Sequence, residues 1–278
     1  NHLHSFAYTY DESGNRIQCI DTPELAAAAT WDYQYDWLNR LVRVEKDAVT
    51  QSIYLYDESD NRVELQLPEL DEVREYDYDD ANQIEEWTSS VASATPLVKE
   101  SFAHDEDGNM TSRANGTDVT TYTWDGANRL IEVARGTLKE VFLYDAEGIR
   151  KARRGGTRYF SSGALSLLDS TPAGPIAYIQ GHQLMGLERD GDFYYYITDG
   201  LSSNRVIVDS GGDVVSSFEY SEFGEITAAS DANELGYHAY TGGVGLRNEM
   251  AELGLLYARQ RWYDPQLGRW LSQDPIGF

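Results

Sequence analysis

Few residues in this 278-residue chain have the types and spacing that do chemistry. Asp105-Glu106-Asp107-Gly108-Asn109 opens like a calcium loop, with carboxylates flanking a glycine bend. The twelve-residue pattern closes on a glutamate, and the chain has Gly116 at that place, so the phrase reads as a turn. His2 and His4 share one face of an extended segment but need outside ligands to hold zinc. His104, His182 and His238 stand apart, with no Ser or Cys partner visible in sequence. Cys19 is the single cysteine, which excludes an internal disulfide; its strand-like neighbourhood suggests a small buried hydrophobe. Gly242-Gly243-x-Gly245 lacks the strand-then-helix setting of a dinucleotide loop. Asp264 and Asp274 each precede a proline, an arrangement that initiates turns. No cofactor and no metal follow from this inventory.

The elements that would position such residues come from an internal repeat. Seven phrases align: YTYDESGNRI from Tyr8, YQYDWLNRLV from Tyr33, YLYDESDNRV from Tyr54, YDYDDANQIE from Tyr76, FAHDEDGNMT from Phe102, YTWDGANRLI from Tyr122 and FLYDAEGIRK from Phe142. Their starts are 20 to 26 residues apart, room for two short strands and two turns but no crossover helix. Aromatic residues two apart fall on one face of a strand. The aspartate that follows (Asp11, Asp36, Asp57, Asp79, Asp105, Asp125, Asp145) can accept from backbone amides and start a turn. Gly14-Asn15, Asn39, Asn61, Asn82, Gly108-Asn109, Asn128 and Gly148 are expected to supply positive φ. Arg16, Arg40, Arg62, Arg129 and Arg150 open the return strand and can reach the turn aspartate or the next repeat.

Two insertions interrupt the rhythm. Residues 21–30 (DTPELAAAAT) read as one or two helical turns, and residues 88–99 (TSSVASATPLVK) as a surface loop. After Arg150 the phrasing changes but still alternates strand and turn, with turns at 172–175, 190–191, 210–212 and 223–224. Phe193 to Tyr196 place aromatics on both faces, which implies burial on both sides. A helix is expected only over 246–253, between Gly245 and Gly254.

With 22 Lys+Arg against 47 Asp+Glu, the net charge is −25. A field of that sign repels phosphate, so no nucleic-acid partner is expected, and anionic membrane surfaces are disfavoured. The 20 Tyr, 6 Trp and 8 Phe suit a sheet with one half-wet face. No apolar run reaches the length of a membrane-spanning helix. The first residues lack a starting Met and the basic-then-apolar pattern of a secretion signal, so a fragment or a processed chain is expected.

The Tyr-x-Tyr-Asp-x-x-Gly-Asn-Arg phrases resemble the YD-repeat, or RHS-repeat, proteins. So do YYYITDGLSSNRVIVDSGGDVV and FEYSEFGE. The closing stretch GLLYARQRWYDPQLGRWLSQDPIGF is similar to the RHS-associated core signature. The resemblance covers essentially the whole chain, and the closing stretch is its most specific part.

The resemblance implies an all-β fold in which a long antiparallel hairpin ribbon coils into a curved, barrel-like or cocoon-like shell. Residues 1–239 would form the shell and 240–278 a core segment that plugs it as part of the same domain. It further implies a bacterial, secreted or cell-surface protein that encloses its own C-terminal toxin domain, with a secretion-system or Tc-type partner. An alternative is a cell-surface adhesion module that binds carbohydrate. In the family, an Asp-Pro-x-Gly aspartate cuts the toxin free; here that residue is Asp274, and Arg269 could orient a carboxylate bidentately. Aspartyl chemistry needs two carboxylates sharing a proton, and the second is expected downstream of Phe278, so this chain alone is not expected to be an active enzyme. The ribbon is short for a closed shell, so an open curved sheet, or closure by self-association, is expected.

Overall fold

The structure is a computed structural model and describes residues 4–23, 26–91, 94–162, 165–230, 237–249 and 253–275. Among these residues, 22 strands form one antiparallel sheet and four short strands a second one. Two compact units are distinguished: Asn1–His104 with Ser112–Val119, and Asp105–Thr111 with Thr120–Phe278.

The aspartate turn generates the first unit. Asp57 Oδ1 accepts from the amides of Ser59 and Asn61, each at 2.8 Å. Its own amide donates to Asn61 O at 2.9 Å. The same pattern recurs at Asp11, Asp36 and Asp79. At Asp11 the Asn15 side chain and the backbone donors hold the carboxyl below its ordinary pKa. The residue three after the aspartate takes the left-handed conformation: Gly14 at φ 85°, Asn39 at 63°, Asp60 at 66° and Asn82 at 60°. Asn61 was expected to supply positive φ, and the structure corrects this by one residue, to Asp60. Asn61 instead donates from its side chain to Asp57 Oδ2 at 2.9 Å and to Asn82 Oδ1 of the next turn at 2.8 Å.

Each of these turns is preceded by a one-residue shift in strand register, at Thr9/Tyr10, Gln34/Tyr35, Leu55/Tyr56 and Asp77/Tyr78. The shift aims the second ring of each phrase back along the sheet. Tyr35, Tyr56 and Tyr78 donate their hydroxyls to the carbonyls of Arg16, Leu41 and Arg62, at 3.0, 2.9 and 2.9 Å. In every case the acceptor lies five residues past the preceding turn aspartate, and each such bond contributes about 1 kcal/mol. The first ring of the phrase is the buried one, as at Tyr54 and Tyr76.

The second unit repeats the turn at Asp105, Asp125 and Asp145, and continues it at Asp199 and Asp209 where the phrasing has changed. Trp124 Nε1 takes the tyrosine's role, donating to Met110 O at 2.7 Å, and Tyr144 and Tyr220 donate to Leu130 O and Asn204 O. A core of Ile176, Tyr178, Leu184, Leu187, Ile207 and Phe218 lies on one face of this part of the sheet.

Four expectations are overturned. The strand Arg16–Pro23 runs through Pro23 and pairs with Ala29–Tyr35 in the register Asp21↔Ala29, so no helix forms where helical turns were expected over 21–30; Glu24 and Leu25 lie outside the described residues. An alanine run this short cannot nucleate a helix against strand pairing on both sides. The expected loop over 88–99 is two strands, Ile84–Val91 and Ala94–His104, because cross-strand packing overrides weak β propensity. The helix expected over 246–253 is overturned in its first part, which is the strand Arg247–Glu249 paired with Leu255–Ala258; Leu253 is helical, and residues 250–252 lie outside the described part. Phe193 and Tyr195 are exposed, while Tyr194 and Tyr196 pack against the core, so only one face there is buried.

The opposite ends of the hairpins close more tightly. Lys46 pairs with Val49 around Asp47-Ala48, which sit at φ 51° and 66°. This is the geometry of a two-residue hairpin turn with both central residues left-handed, and alanine there carries a steric cost of about 1–2 kcal/mol. Ala48→Gly is expected to raise the unfolding free energy by about 0.5–1 kcal/mol in urea titrations, net of glycine's greater freedom when unfolded.

Candidate functional site

The second unit brings the closing stretch onto the ribbon through buried charge. A strand's period of two puts Arg247 and Glu249 on one face. Arg247 binds Asp169 with both terminal nitrogens, Nη1 at 3.3 Å and Nη2 at 2.5 Å. Glu249 accepts from Arg150 Nη2 at 2.6 Å and lies 3.5 Å from Arg153 Nη1. The Arg150 and Glu249 side chains are 0% and 1% exposed. Burial opposes ionisation of Glu249, yet the Arg150 and Arg247 charges outweigh it and hold the carboxyl below its ordinary pKa.

Rings and hydroxyls complete the seam. The Arg150 guanidinium lies 4.1 Å from the Tyr257 ring centroid and 4.4 Å from that of Tyr159. Tyr257 Oη accepts from the Arg150 amide at 3.0 Å, and Tyr178 donates to Asp169 Oδ2 at 2.6 Å. Trp262 Nε1 donates to Tyr144 Oη at 3.3 Å, so a tyrosine already used in the repeat ladder also receives the closing sheet. His238 is buried among these groups with Nδ1 3.0 Å from Leu246 O, and it packs edge-on against Tyr178. Burial, with the Arg247 charge beside it, lowers its pKa from 6.5 to about 3.

Asp274 lies beyond this seam. Its Oδ2 pairs with Arg261 Nη2 at 2.8 Å, and the Arg261 guanidinium lies 4.1 Å from the Trp270 ring centroid. The aspartate lines a surface cleft of about 710 Å³ with Glu106, Asp107, Arg129, Glu147 and Gln273. Two contacts bring the tail there. The Met110 amide donates to Leu271 O at 2.8 Å, and Gln273 lies so close to Gly108 that a Cβ at this glycine would sit 2.7 Å from Gln273 Nε2. The cleft therefore brings three more carboxylates to the face that carries Asp274, all from turns of the repeat.

Arg269 stands in register with Asp264, in the short strand Arg269–Trp270. Asp264 accepts from the Gln266 and Leu267 amides at 2.9 and 3.1 Å, the turn role that its position before proline suggested. Sequence reasoning missed Arg261, Arg247, Glu249 and Asp169. The only available signal was the pairing of opposite charges two apart in RNE, which a strand would place on one face.

The whole chain, residues 1–278, matches the family model described as Teneurin YD-shell. The tRNA3(Ser)-specific nuclease WapA of Bacillus spizizenii is 28% identical over 87% of this chain and 10% of that protein. Double-stranded DNA deaminase toxin A of Burkholderia cenocepacia is 26% identical over 63% of this chain and 15% of that protein. Teneurin-1 of Gallus gallus is 24% identical over 98% of this chain and 10% of that protein. A crystal structure of TcdB2-TccC3-TEV shares the fold, with a TM-score of 0.64 at 18% identity, over 98% of this chain and 17% of that one. The chain thus spans between 10% and 17% of the length of these proteins.

The depressed pKa of His238 has a signed consequence. Unfolding releases a histidine that binds a proton below 6.5, whereas the folded one stays neutral down to about 3. Stability is therefore intact above pH 6.5 and falls with acidification, approaching about 1.4 kcal/mol per pH unit inside that window. Calorimetry between pH 6.5 and 4.5 is expected to show this slope in the native protein and a flatter one in His238→Asn.

Proposed function

This chain belongs to the teneurin YD-shell family, and from that premise we propose that it is a wall segment of an RHS-type toxin-delivery protein, enclosing a toxin polypeptide encoded downstream. The observation that carries the reading is the buried seam. The closing segment, residues 240–278, is fastened to the ribbon by two ion pairs, Arg150 with Glu249 and Arg247 with Asp169, as a segment that ends a wall must be. Relatives named as a nuclease and as a deaminase toxin match this chain over only 10% and 15% of their length, which supports a carrier role beside a separate activity.

In this reading the toxin domain is the principal partner, a secretion-system or Tc-type component a second one, and the protein acts outside the bacterial cell or on its surface. Asp274 supplies one carboxylate of a self-cleaving pair, oriented by Arg261 at 2.8 Å. Arg269 is a further positioning residue, and a downstream aspartate supplies the second carboxylate. The pair shares one proton, since two like charges so close cannot both ionise. Asp274 faces an open cleft of about 710 Å³, which leaves room for an incoming strand and its scissile bond.

A second reading, a carbohydrate-binding adhesion module, is favoured by one row of the sheet. Phe160, Leu168, Ala177, Glu188 and Phe193 are consecutive cross-strand partners. The two rings lie four strand spacings, about 19 Å, apart and are 49% and 46% exposed, each a face on which a sugar ring can stack.

The two readings separate on the natural gene product. Encapsulation predicts a cleaved downstream fragment that co-purifies with the shell and resists protease until the shell is denatured. Asp274→Asn is expected to leave the polypeptide uncut but still protected. A product with no downstream domain, or a fragment digested as fast as the free one, contradicts the encapsulation reading. Equal cutting in the wild type and in Asp274→Asn removes Asp274 from the chemistry.

A further inference from the structure

The seam holds an unfilled demand for hydrogen bonds. Arg150 uses Nη2 on Glu249, but its Nε and Nη1 have no hydrogen-bond partner among the described residues. Arg247 uses both terminal nitrogens on Asp169, and its Nε is likewise without one, as is the Tyr159 hydroxyl. These three side chains are buried, and both guanidiniums lie against the same Tyr159 ring, at 4.4 and 4.5 Å from its centroid. Buried charged N–H groups are seldom left without an acceptor, because each such orphan costs free energy comparable to a lost hydrogen bond.

The same three residues line a cavity of about 40 Å³, together with Asp169, Tyr257 and the exposed Arg259. That is the space open to the centre of a water-sized sphere, and it exceeds the roughly 10–15 Å³ that one water needs, so the cavity has room for a water or a halide ion. Its chemistry decides what the sphere is. All three unpartnered guanidinium nitrogens are donors without acceptor capacity, and the phenol adds a fourth donor. Water would bring two protons of its own into a site that chiefly offers more protons. An acceptor-only ligand satisfies all four donors at once.

The charge balance agrees. Arg150 and Arg247 are matched by Glu249 and Asp169, which leaves Arg259 as the surplus positive charge in the lining. Arg259 is held there by a strained backbone, at φ 62°, in the turn between the strands Leu255–Ala258 and Arg261–Asp264.

We propose that this cavity is a binding site for one small monovalent anion of halide size, seated between ribbon residues Arg150 and Tyr159 and closing-segment residues Arg247 and Arg259. The anion bridges the two sides of the seam, so its binding favours the docked closing segment. A ligand that binds only the docked state stabilises that state in proportion to its concentration. The inference is independent of what, if anything, the wall encloses.

The probe is bromide, which scatters anomalously and can replace chloride. Crystals of the protein soaked in sodium bromide are expected to show an anomalous peak in the cavity, about 3.0–3.5 Å from the Arg150 and Arg247 nitrogens and the Tyr159 hydroxyl. In solution, bromine NMR line broadening is expected to report a site whose affinity falls at least fivefold in Arg259→Gln and in Tyr159→Phe. Arg259 is exposed, so its variant keeps the test valid even if Tyr159→Phe does not fold. Bromide found only at scattered surface positions, which would be an adventitious ion only, overturns the proposal. So does ordered water in the cavity without an anomalous peak, or bromide affinity unchanged in Arg259→Gln.

Discussion

Everything in this fold hangs on a carboxylate oxygen that accepts two backbone amides in a turn of four residues. Once Asp57 Oδ1 holds the amides of Ser59 and Asn61, three things are fixed. The left-handed residue falls at Asp60, the register shifts just before Tyr56, and the return strand begins at a defined phase. A strand has period two, so a one-residue change of phase moves a side chain to the other face. The turn therefore decides the phase at which each arginine leaves the return strand. Arg40 and Arg129, four residues past their aspartates, bond along the turns to Asp60 and to the Asp145 carbonyl while also lying over the Tyr56 and Tyr144 rings. Arg16, Arg62 and Arg150, five residues past, lie over aromatic rings.

That phase explains the seam. Arg150 is the last arginine of the series five residues past its aspartate, so it is delivered to the buried face whether or not a partner is present there. A lone buried guanidinium is prohibitively costly to desolvate, and the closing segment supplies what it needs: Glu249 as counter-ion and Tyr257 and Trp262 as ring faces. Buried ion pairs of this kind add little net stability compared with an apolar seam of the same shape. Their value is in specifying a partner, because removing either member strands a charge. The closing segment is thus matched to this point of the ribbon by charge as well as by shape.

Much of this was legible in the sequence. The Tyr-x-Tyr-Asp phrase gave the hairpin, its turn and its antiparallel pairing, because every part of it has a local physical meaning. The left-handed turn residues were placed correctly at Gly14, Asn39, Asn82, Gly108, Asn128 and Gly148, but Asn15, Asn61 and Asn109 lie one residue past the left-handed position, where adjacent turn-forming residues left the phase ambiguous. The alignment of five arginines as one class merged two phases, since Arg40 and Arg62 look alike until the aspartate is used as the origin. The alanine run and the Ser/Thr-rich stretch misled because local propensity was weighed without the pairing partner that overrode it. The seam was the least legible part. Arg150 and Glu249 are 99 residues apart, and Arg247 and Asp169 are 78 apart. No local pattern encodes such a match, and RNE carries the same letters in a helix as in a strand.

Amide hydrogen exchange tests the central claim most directly. The amides of Arg40, Gln83 and Arg129 sit in surface turns, outside any strand, where an open loop would exchange almost as fast as free peptide. If the aspartate carboxylates hold them, they exchange as slowly as amides in the middle of the flanking strands. Exchange at the rate of an unstructured loop at all three positions would contradict the account, because the turn would then follow from the strands instead of setting them.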